Sequence, residues 1–183
     1  MSADPRIAWG ITGAGHFLEP CVELLASHGQ ADVFFSAAGL EVVKLYKLYS
    51  LLKSSGRNLF FDGDAASFPI TRLYGGRYDL VVIAPATSNT VAKMALGISD
   101  GLVTNLFANA GKCRIPTLVL PCDSKAGEVV SATHKGKEIS VHVRPVDEGN
   151  AEAIARFEGV RVLESPEQLE EVLLAWPTSS TPL

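Results

Sequence analysis

The run Tyr78-Asp-Leu-Val-Val-Ile-Ala84 restricts the fold of this chain more than any other feature, since it is nearly all apolar and stops at Pro85. A run of this length that does not alternate polar and apolar residues predicts a strand buried on both faces, as in the middle of a parallel sheet. Parallel strands need crossover connections, which are usually helices. The rest of the chain should therefore alternate strands with helices.

That alternation is visible along the sequence. Short apolar runs predict further strands at 6–12, 31–35, 58–61, 116–120 and 159–163, and amphipathic segments predict helices near 17–27, 40–52, 70–74, 88–96, 100–110 and 148–157, with a last helix opened by Ser165. A period-2 segment at 137–143 predicts a peripheral strand, whereas the polar segment 121–136 predicts irregular structure. We expect a doubly wound, Rossmann-like parallel α/β sheet in three layers.

The whole of 1–183 is expected to form a single domain. Within it, 121–145 is expected to be an irregular or hairpin excursion, and 177–183 a frayed tail.

Composition excludes several classes of function. The net charge is −4 and the basic residues do not cluster beyond Lys135 and Lys137, so we expect no nucleic-acid partner. The three cysteines form no Cys-x-x-Cys pair, which argues against a disulfide framework or a metal site and favours a reducing cytoplasm. No apolar run approaches the roughly 18 residues that a membrane span requires, so we expect no membrane partner.

Small residues follow the first predicted strand as Gly13-Ala14-Gly15, an arrangement that lets backbone N–H groups and the next helix approach a phosphate. As a dinucleotide motif it is weak. Leu18 stands at the third glycine position, and the second strand ends at Ser36 rather than at an acidic residue that would bind a ribose diol. A hydroxyl there suits a phosphate better, and a tight turn without a ligand is the alternative.

Hydrogen-bonding residues are concentrated directly after the central strand, in Ala86-Thr-Ser-Asn-Thr90. Capping of the next helix needs one of them, and the structural alternative leaves the others solvated in a loop. Four donors and acceptors at the carboxyl edge of a parallel sheet are also what a planar heterocycle with ring nitrogens and carbonyls requires.

The segment 84–104, Ala-Pro-Ala-Thr-Ser-Asn-Thr-Val-Ala-Lys-Met-Ala-Leu-Gly-Ile-Ser-Asp-Gly-Leu-Val-Thr, resembles the FMN-binding signature of the homo-oligomeric flavin-containing cysteine decarboxylase superfamily. Residues 11–15 and 36–39 fall where that family keeps its other two FMN-contacting loops, so the resemblance covers roughly 6–120. It implies FMN as the cofactor. The residues implied near the phosphate are Gly13, Ala14, Gly15 and Ser36, and those implied around the ribityl chain and ring are Ala86, Thr87, Asn89, Thr90 and Lys93. Ala38 and Thr104 are further candidates for FMN contact.

The chain departs from the decarboxylases of this family. They use a histidine before the central strand, and none of the four histidines here lies between the second strand and Ala84. Their Pro-Ala-Met-Asn type of substrate clamp is replaced by Pro121-Cys-Asp-Ser-Lys125. The serine-rich first loop and the C-terminal Arg-Glu motif of the flavin prenyltransferase branch are also missing, so a different substrate is expected.

Three segments, 12–18, 45–49 and 121–123, resemble the archaeoflavoproteins and the acceptor-dependent dihydromethanopterin reductases. This resemblance implies an FMN-dependent oxidoreductase that reduces dihydromethanopterin to tetrahydromethanopterin by ping-pong hydride transfer from reduced FMN. The electrons would come from an external donor: reduced flavin, an NAD(P)H-linked protein or ferredoxin. FMN then carries the chemistry and no catalytic side chain is required, while His16, Cys122 and Asp123 are candidates for contact with the pterin.

The resemblance further implies a cytoplasmic homo-oligomer built from trimers. Two alternatives stay open: an FMN carrier or flavin-storage protein without a substrate of its own, and an enzyme similar to phosphopantothenoylcysteine decarboxylase. The segment 121–137 separates carrier from enzyme, because it should be ordered over the flavin in an enzyme and peripheral in a carrier.

Overall fold

The computed structural model describes residues 6–63 and 67–176, so the predicted tail at 177–183 lies outside the described residues. Its strands, in chain order, are β1 (Ile7–Ile11), β2 (Ala31–Phe35), β3 (Leu59–Phe61), β4 (Leu80–Ala86), β5 (Thr117–Pro121), β6 (Gly127–Ala132), β7 (Glu138–Val143) and β8 (Val160–Val162). Its helices are α1 (Leu18–Ser27), α2 (Ala37–Leu45), α3 (Tyr49–Ser54), α4 (Ser67–Tyr74), α5 (Ser88–Ala95), α6 (Leu102–Lys112), α7 (Pro145–Ala155) and α8 (Pro166–Leu174).

A six-stranded sheet in the order β3-β2-β1-β4-β5-β8 forms the centre of the molecule, and all its neighbouring strands pair in parallel. The chain builds outward from β1 in one direction through β2 and β3, and in the other through β4, β5 and β8. The reversal point therefore lies between β1 and β4, where α/β sheets of this kind bind their ligands. The predicted Rossmann-like α/β fold is confirmed.

Hydrophobic side chains cover both faces of this sheet. Along β4, Val82 packs into one core cluster and Val81 and Ile83 into the other. Each of these residues is fully buried, which explains why the sequence of this strand is continuously apolar rather than alternating. The polar edge of Trp9 in β1 is also satisfied, because its indole N–H donates to the carbonyl oxygen of Ala84 at 2.7 Å.

The single helix predicted over 40–52 is wrong: α2 and α3 are separate helices. α2 begins earlier than predicted, at Ala37, because the Ser36 hydroxyl caps it by accepting a hydrogen bond from the Gly39 N–H at 3.0 Å. It ends before Lys47, whose φ of 61° is left-handed and cannot continue a right-handed helix. The hydrophobic pattern continues across the break because Val43 and Leu52 enter the same core cluster.

Two further sequence expectations need correction. Residues 121–136 are not irregular throughout, because β6 lies within them and pairs antiparallel with β7 in a hairpin outside the main sheet. α7 begins at Pro145 rather than near Glu148, since proline suits the first helical position and Asp147 accepts a hydrogen bond from the Arg144 N–H.

Among the described residues, no helix is both long enough and apolar enough to cross a membrane.

Candidate functional site

The loops that leave β1, β4 and β5 meet at the carboxyl edge of the sheet and border a cavity of about 440 Å³. Small and polar residues form this side of the cavity: Ala14, Gly15, His16, Thr87, Ser88, Cys122 and Asp123. They come from three segments that together span more than a hundred residues of the chain, and the parallel sheet brings them to one edge. The three predicted substrate residues therefore all lie on the wall of one cavity.

Thr12 joins two of these loops. Its hydroxyl donates to the carbonyl oxygen of Pro85 at 2.8 Å and accepts from the backbone N–H of Thr87 at 2.8 Å. The residue is 1% exposed, so both hydrogen bonds are shielded from water. The loop after β1 and the loop after β4 are thus held in one relative position without a ligand.

The loop after β1 offers backbone donors. Within the described residues, no hydrogen bond uses the N–H groups of Gly13, Gly15 or His16. A Cβ atom at Gly13 would lie 2.6 Å from the Cβ of Ala38, and one at Gly15 would overlap the hydroxyl oxygen of Tyr46. The loop is therefore restricted to glycine by close packing, and its free N–H groups suit an anion.

The hydroxyl residues after β4 have divided roles. Thr87 caps α5, because its hydroxyl accepts from the Thr90 N–H at 3.2 Å and lies 3.0 Å from the Thr90 hydroxyl. Ser88 lines the cavity. Ala86 is buried in β4, and Asn89 is exposed to solvent and is not part of the cavity lining. Capping and cavity formation use the same turn of helix.

Lys93 and Thr104, two of the predicted FMN contacts, lie outside the cavity lining. The ammonium group of Lys93 pairs with Asp100 at 2.8 Å. The Thr104 hydroxyl closes the first turn of α6 by hydrogen bonding with Gly101, and its side chain borders a different groove. Neither residue lines the cavity, so their contact with FMN stays a prediction.

The β6–β7 hairpin lies in the segment 121–145, which the sequence predicted as an irregular or hairpin excursion, and it forms another wall of the cavity; the sequence did not single out its lining residues. One face of the hairpin turns Val129, Ser131, Ile139 and Val141 toward the cavity. The period-2 pattern at 137–143 was a signal for one strand, but β6 carries no comparable pattern. The hairpin thus adds an apolar surface opposite the polar loops.

Two hydrogen bonds connect the hairpin to the rest of the site. His16 Nδ1 lies 3.2 Å from the Ser131 hydroxyl, and the Tyr46 hydroxyl donates to the carbonyl oxygen of Ala132 at 3.3 Å. Both are single contacts at a partly exposed surface, where net contributions are small. The hairpin is positioned over the loop after β1 by few interactions.

Burial controls the chemistry of two of the predicted substrate residues. Burial lowers the pKa of His16, and the negative charge of Asp123 opposes that effect only in part. Burial also raises the pKa of Cys122, whose thiol donates to the His16 carbonyl oxygen at 3.4 Å. Cys122 is consequently held as a neutral thiol, which argues against a nucleophilic role.

Comparison with known proteins places the chain in a family. The family model described as Flavoprotein matches residues 1–176. The chain belongs to the flavoprotein family. A relative in Methanosarcina mazei, named dihydromethanopterin reductase (acceptor), is 30% identical over 91% of this chain and 98% of its own length. An uncharacterised protein of Methanocaldococcus jannaschii is 39% identical over 92% of this chain and 94% of its own.

A solved structure extends the comparison to three dimensions. DmrB of Burkholderia xenovorans, crystallised with FMN and described as a cubic protein cage for redox transfer, is 39% identical to this flavoprotein. The two superpose with a TM-score of 0.85 over 96% of each chain. The predicted membership of a flavoprotein family, the FMN cofactor and the class of flavin-dependent oxidoreductase are confirmed at the level of the family.

Proposed function

We propose that this flavoprotein binds FMN at the carboxyl edge of its sheet and reduces a dihydropterin, converting dihydromethanopterin to tetrahydromethanopterin with electrons from an external donor. The observation that carries the proposal is the β6–β7 hairpin, which walls the cavity opposite the loops after β1, β4 and β5. A pure electron carrier needs an accessible flavin edge and no enclosing wall. The Methanosarcina mazei relative is named dihydromethanopterin reductase (acceptor), which supports the choice of substrate.

The residues at this edge fit FMN. The unpaired N–H groups of Gly13 and Gly15 would hold its phosphate together with the hydroxyl of Ser36, which still has its proton to donate. The hydroxyls of Thr87 and Ser88 would bind polar atoms of the ribityl chain or the ring. When bound, FMN would supply two-electron chemistry by hydride transfer to an electron-poor C=N bond.

The chain itself positions the substrate and excludes water. Reduction of a C=N bond adds a hydride to carbon and a proton to nitrogen, and the second step needs only a proton source. His16 is half-buried with a lowered pKa, so water entering the open side of the cavity is the proposed proton source. The catalytic contribution of the protein is then orientation of the two rings in contact.

We also propose that the chain assembles into trimers and larger shells. Exposed apolar residues surround a groove of about 180 Å³ on the α5 and α6 side, among them Ile98 and Phe157, with Leu96 beside them. Apolar surface of this kind marks association sites. Light scattering on the FMN-loaded protein should give a mass that is a multiple of three chains, and a monomer that holds FMN tightly would contradict the assembly.

Single-turnover reoxidation tests the function. The purified protein should be yellow and should release FMN, identified by mass, at one per chain. After photoreduction without oxygen, mixing with 7,8-dihydromethanopterin or 6-methyl-7,8-dihydropterin should restore the oxidised flavin spectrum and form the tetrahydropterin. If only ferredoxin or quinones reoxidise it, the reductase proposal fails and the chain is an electron carrier.

A further inference from the structure

Asp123 occupies a defined place in the cavity. It lies two residues after the end of β5. The N–H of the intervening Cys122 donates to the Ala86 carbonyl oxygen at 2.9 Å, which joins the loop after β5 to the end of β4. Asp123 is half-buried and lines the same cavity as Thr87 and Ser88. The backbone next to Asp123 is therefore held in a fixed position relative to the main sheet.

The carboxylate of Asp123 accepts no hydrogen bond from any of the described residues. Two of the cations that follow it in the chain, Lys125 and Arg144, are already engaged with other carboxylates. Arg144 donates to Asp147 from Nε at 2.9 Å and from Nη2 at 2.7 Å, and Lys125 pairs with Glu164 at 2.8 Å. The half-buried carboxylate of Asp123 therefore keeps its acceptor lone pairs for a ligand that supplies donors.

A metal ion is not the partner indicated by the described residues. Among them, no group of three or more His, Cys, Asp or Glu side chains is arranged to hold one. The charge of Asp123 acts to raise the pKa of His16, Cys122 and Arg144, but among the described residues no hydrogen bond or ion pair joins Asp123 to these side chains. An organic group with N–H donors would supply the hydrogen bonds that this carboxylate does not receive from the described residues.

We propose that Asp123 binds the amino-pyrimidine edge of the pterin and so determines that this site accepts pterins as substrates. This inference rests on the proposed reductase function. A pterin presents two parallel donors on that edge, the 2-amino group and the neighbouring ring N–H, which match the two oxygens of one carboxylate. Asp123 is thus a specificity-determining residue in contact with the substrate.

The same carboxylate disfavours a flavin ring in the substrate position. The pyrimidine edge of a flavin carries one N–H between two carbonyl oxygens, so a carboxylate facing it meets lone pairs. A site therefore distinguishes the two heterocycles by repulsion as well as by attraction. This explains how one cavity can hold FMN near Gly15 and Thr87 and reserve the side near Asp123 for a second ring.

The experiment compares two probes that differ at one atom, 6-methylpterin and 6-methyllumazine, in which oxygen replaces the 2-amino group. Binding to the FMN-loaded protein is followed by fluorescence titration, and turnover by reoxidation of the photoreduced protein with the 7,8-dihydro form of each probe. The variants are Asp123→Asn and Asp123→Ala. The matched control is Glu128→Gln, because Glu128 is a nearby carboxylate in β6 that is exposed outside the cavity lining and is hydrogen-bonded to Ser140 and His142.

Wild type and Glu128→Gln should bind 6-methylpterin at least about tenfold more tightly than 6-methyllumazine. Asp123→Ala should lose the preference, and Asp123→Asn should reverse it, because an asparagine amide donates to the 2-oxygen of lumazine and accepts from its ring N–H. Equal ratios in wild type and Asp123→Asn would overturn the inference. If reduced wild type reacts with neither dihydro probe while the Asp123-dependent binding preference persists, the reductase function fails and the pterin subsite stands.

Discussion

The hydroxyl of Thr12 accepts a hydrogen bond from the backbone N–H of Thr87 at 2.8 Å. Because it also donates to the carbonyl oxygen of Pro85, one side chain links the two loops on either side of the topological switch point. Thr12 and Thr87 themselves lie just outside the strands, so the relative position of the two loops depends on contacts of this kind. The geometry of the candidate flavin site is therefore tied to a buried hydroxyl.

Thr12→Val should test that link, since valine keeps the shape and removes both hydrogen bonds. We expect a loss of about 1–3 kcal/mol in the free energy of unfolding and weaker FMN binding. Thr117→Val is the matched control, because Thr117 is also a buried strand threonine but bonds only to the Ile115 carbonyl oxygen. Equal FMN affinity in the two variants, measured by fluorescence titration, would show that Thr12 has no special part in the site.

Gly13→Ala should disturb the loop after β1, because the new methyl group would lie 2.6 Å from the Cβ of Ala38. FMN affinity and the melting temperature should both fall. The double variant Gly13→Ala with Ala38→Gly should recover most of the affinity, since it removes the opposing methyl group. Gly149→Ala is the control: nothing lies within 4 Å of its added Cβ, and alanine favours the helix. Absence of recovery in the double variant would contradict the packing explanation.

Lys47→Gly should stabilise the protein by about 1 kcal/mol, because glycine adopts the left-handed conformation without a steric penalty. Lys47 has a φ of 61° at the junction of α2 and α3. Glu41→Gly, at an exposed site inside α2, should instead destabilise by about 1 kcal/mol. Urea unfolding followed by circular dichroism gives both values. A destabilising Lys47→Gly would mean that 40–52 is one continuous helix after all.

The pair Arg144 and Asp147 should make stability depend on acid pH. A hydrogen bond from the Arg144 side chain is the main cause that holds the pKa of Asp147 below its ordinary value of 3.8. Since the folded-state pKa is depressed, the stabilisation is present above the unfolded-state pKa and is lost as the pH falls through the folded-state pKa.

Arg144→Met should therefore lower the urea midpoint at pH 7 and have a progressively smaller effect below about pH 4. Arg156→Met removes an exposed pair with Glu152 at 3.5 Å and serves as the control, with little expected change at either pH. A deficit of Arg144→Met that is the same at pH 7 and pH 3 would assign its cause to lost packing and not to the charge of Asp147.

Much of the fold was predictable because its signals are local. The apolar run that became β4 records burial on both faces, and Ser165 and Pro166 mark the start of α8 by capping chemistry. The loop glycines and the hydroxyl residues after β4 were likewise visible, because turns and caps restrict residue type over a few positions. The parallel sheet and its ligand-binding edge follow from these elements in sequence.

Tertiary structure alone decided how those pieces combine. The break at Lys47 is invisible to hydrophobic periodicity, since Val43 and Leu52 serve one core on both sides of it. The position of the hairpin as a cavity wall depends on contacts between segments far apart in the chain. Whether Asp123 is left without a partner and Lys93 is paired with Asp100 depends on which groups the fold brings within hydrogen-bond distance. A sequence pattern reports burial and local backbone preference, whereas side-chain partners are set by packing between segments far apart in the chain.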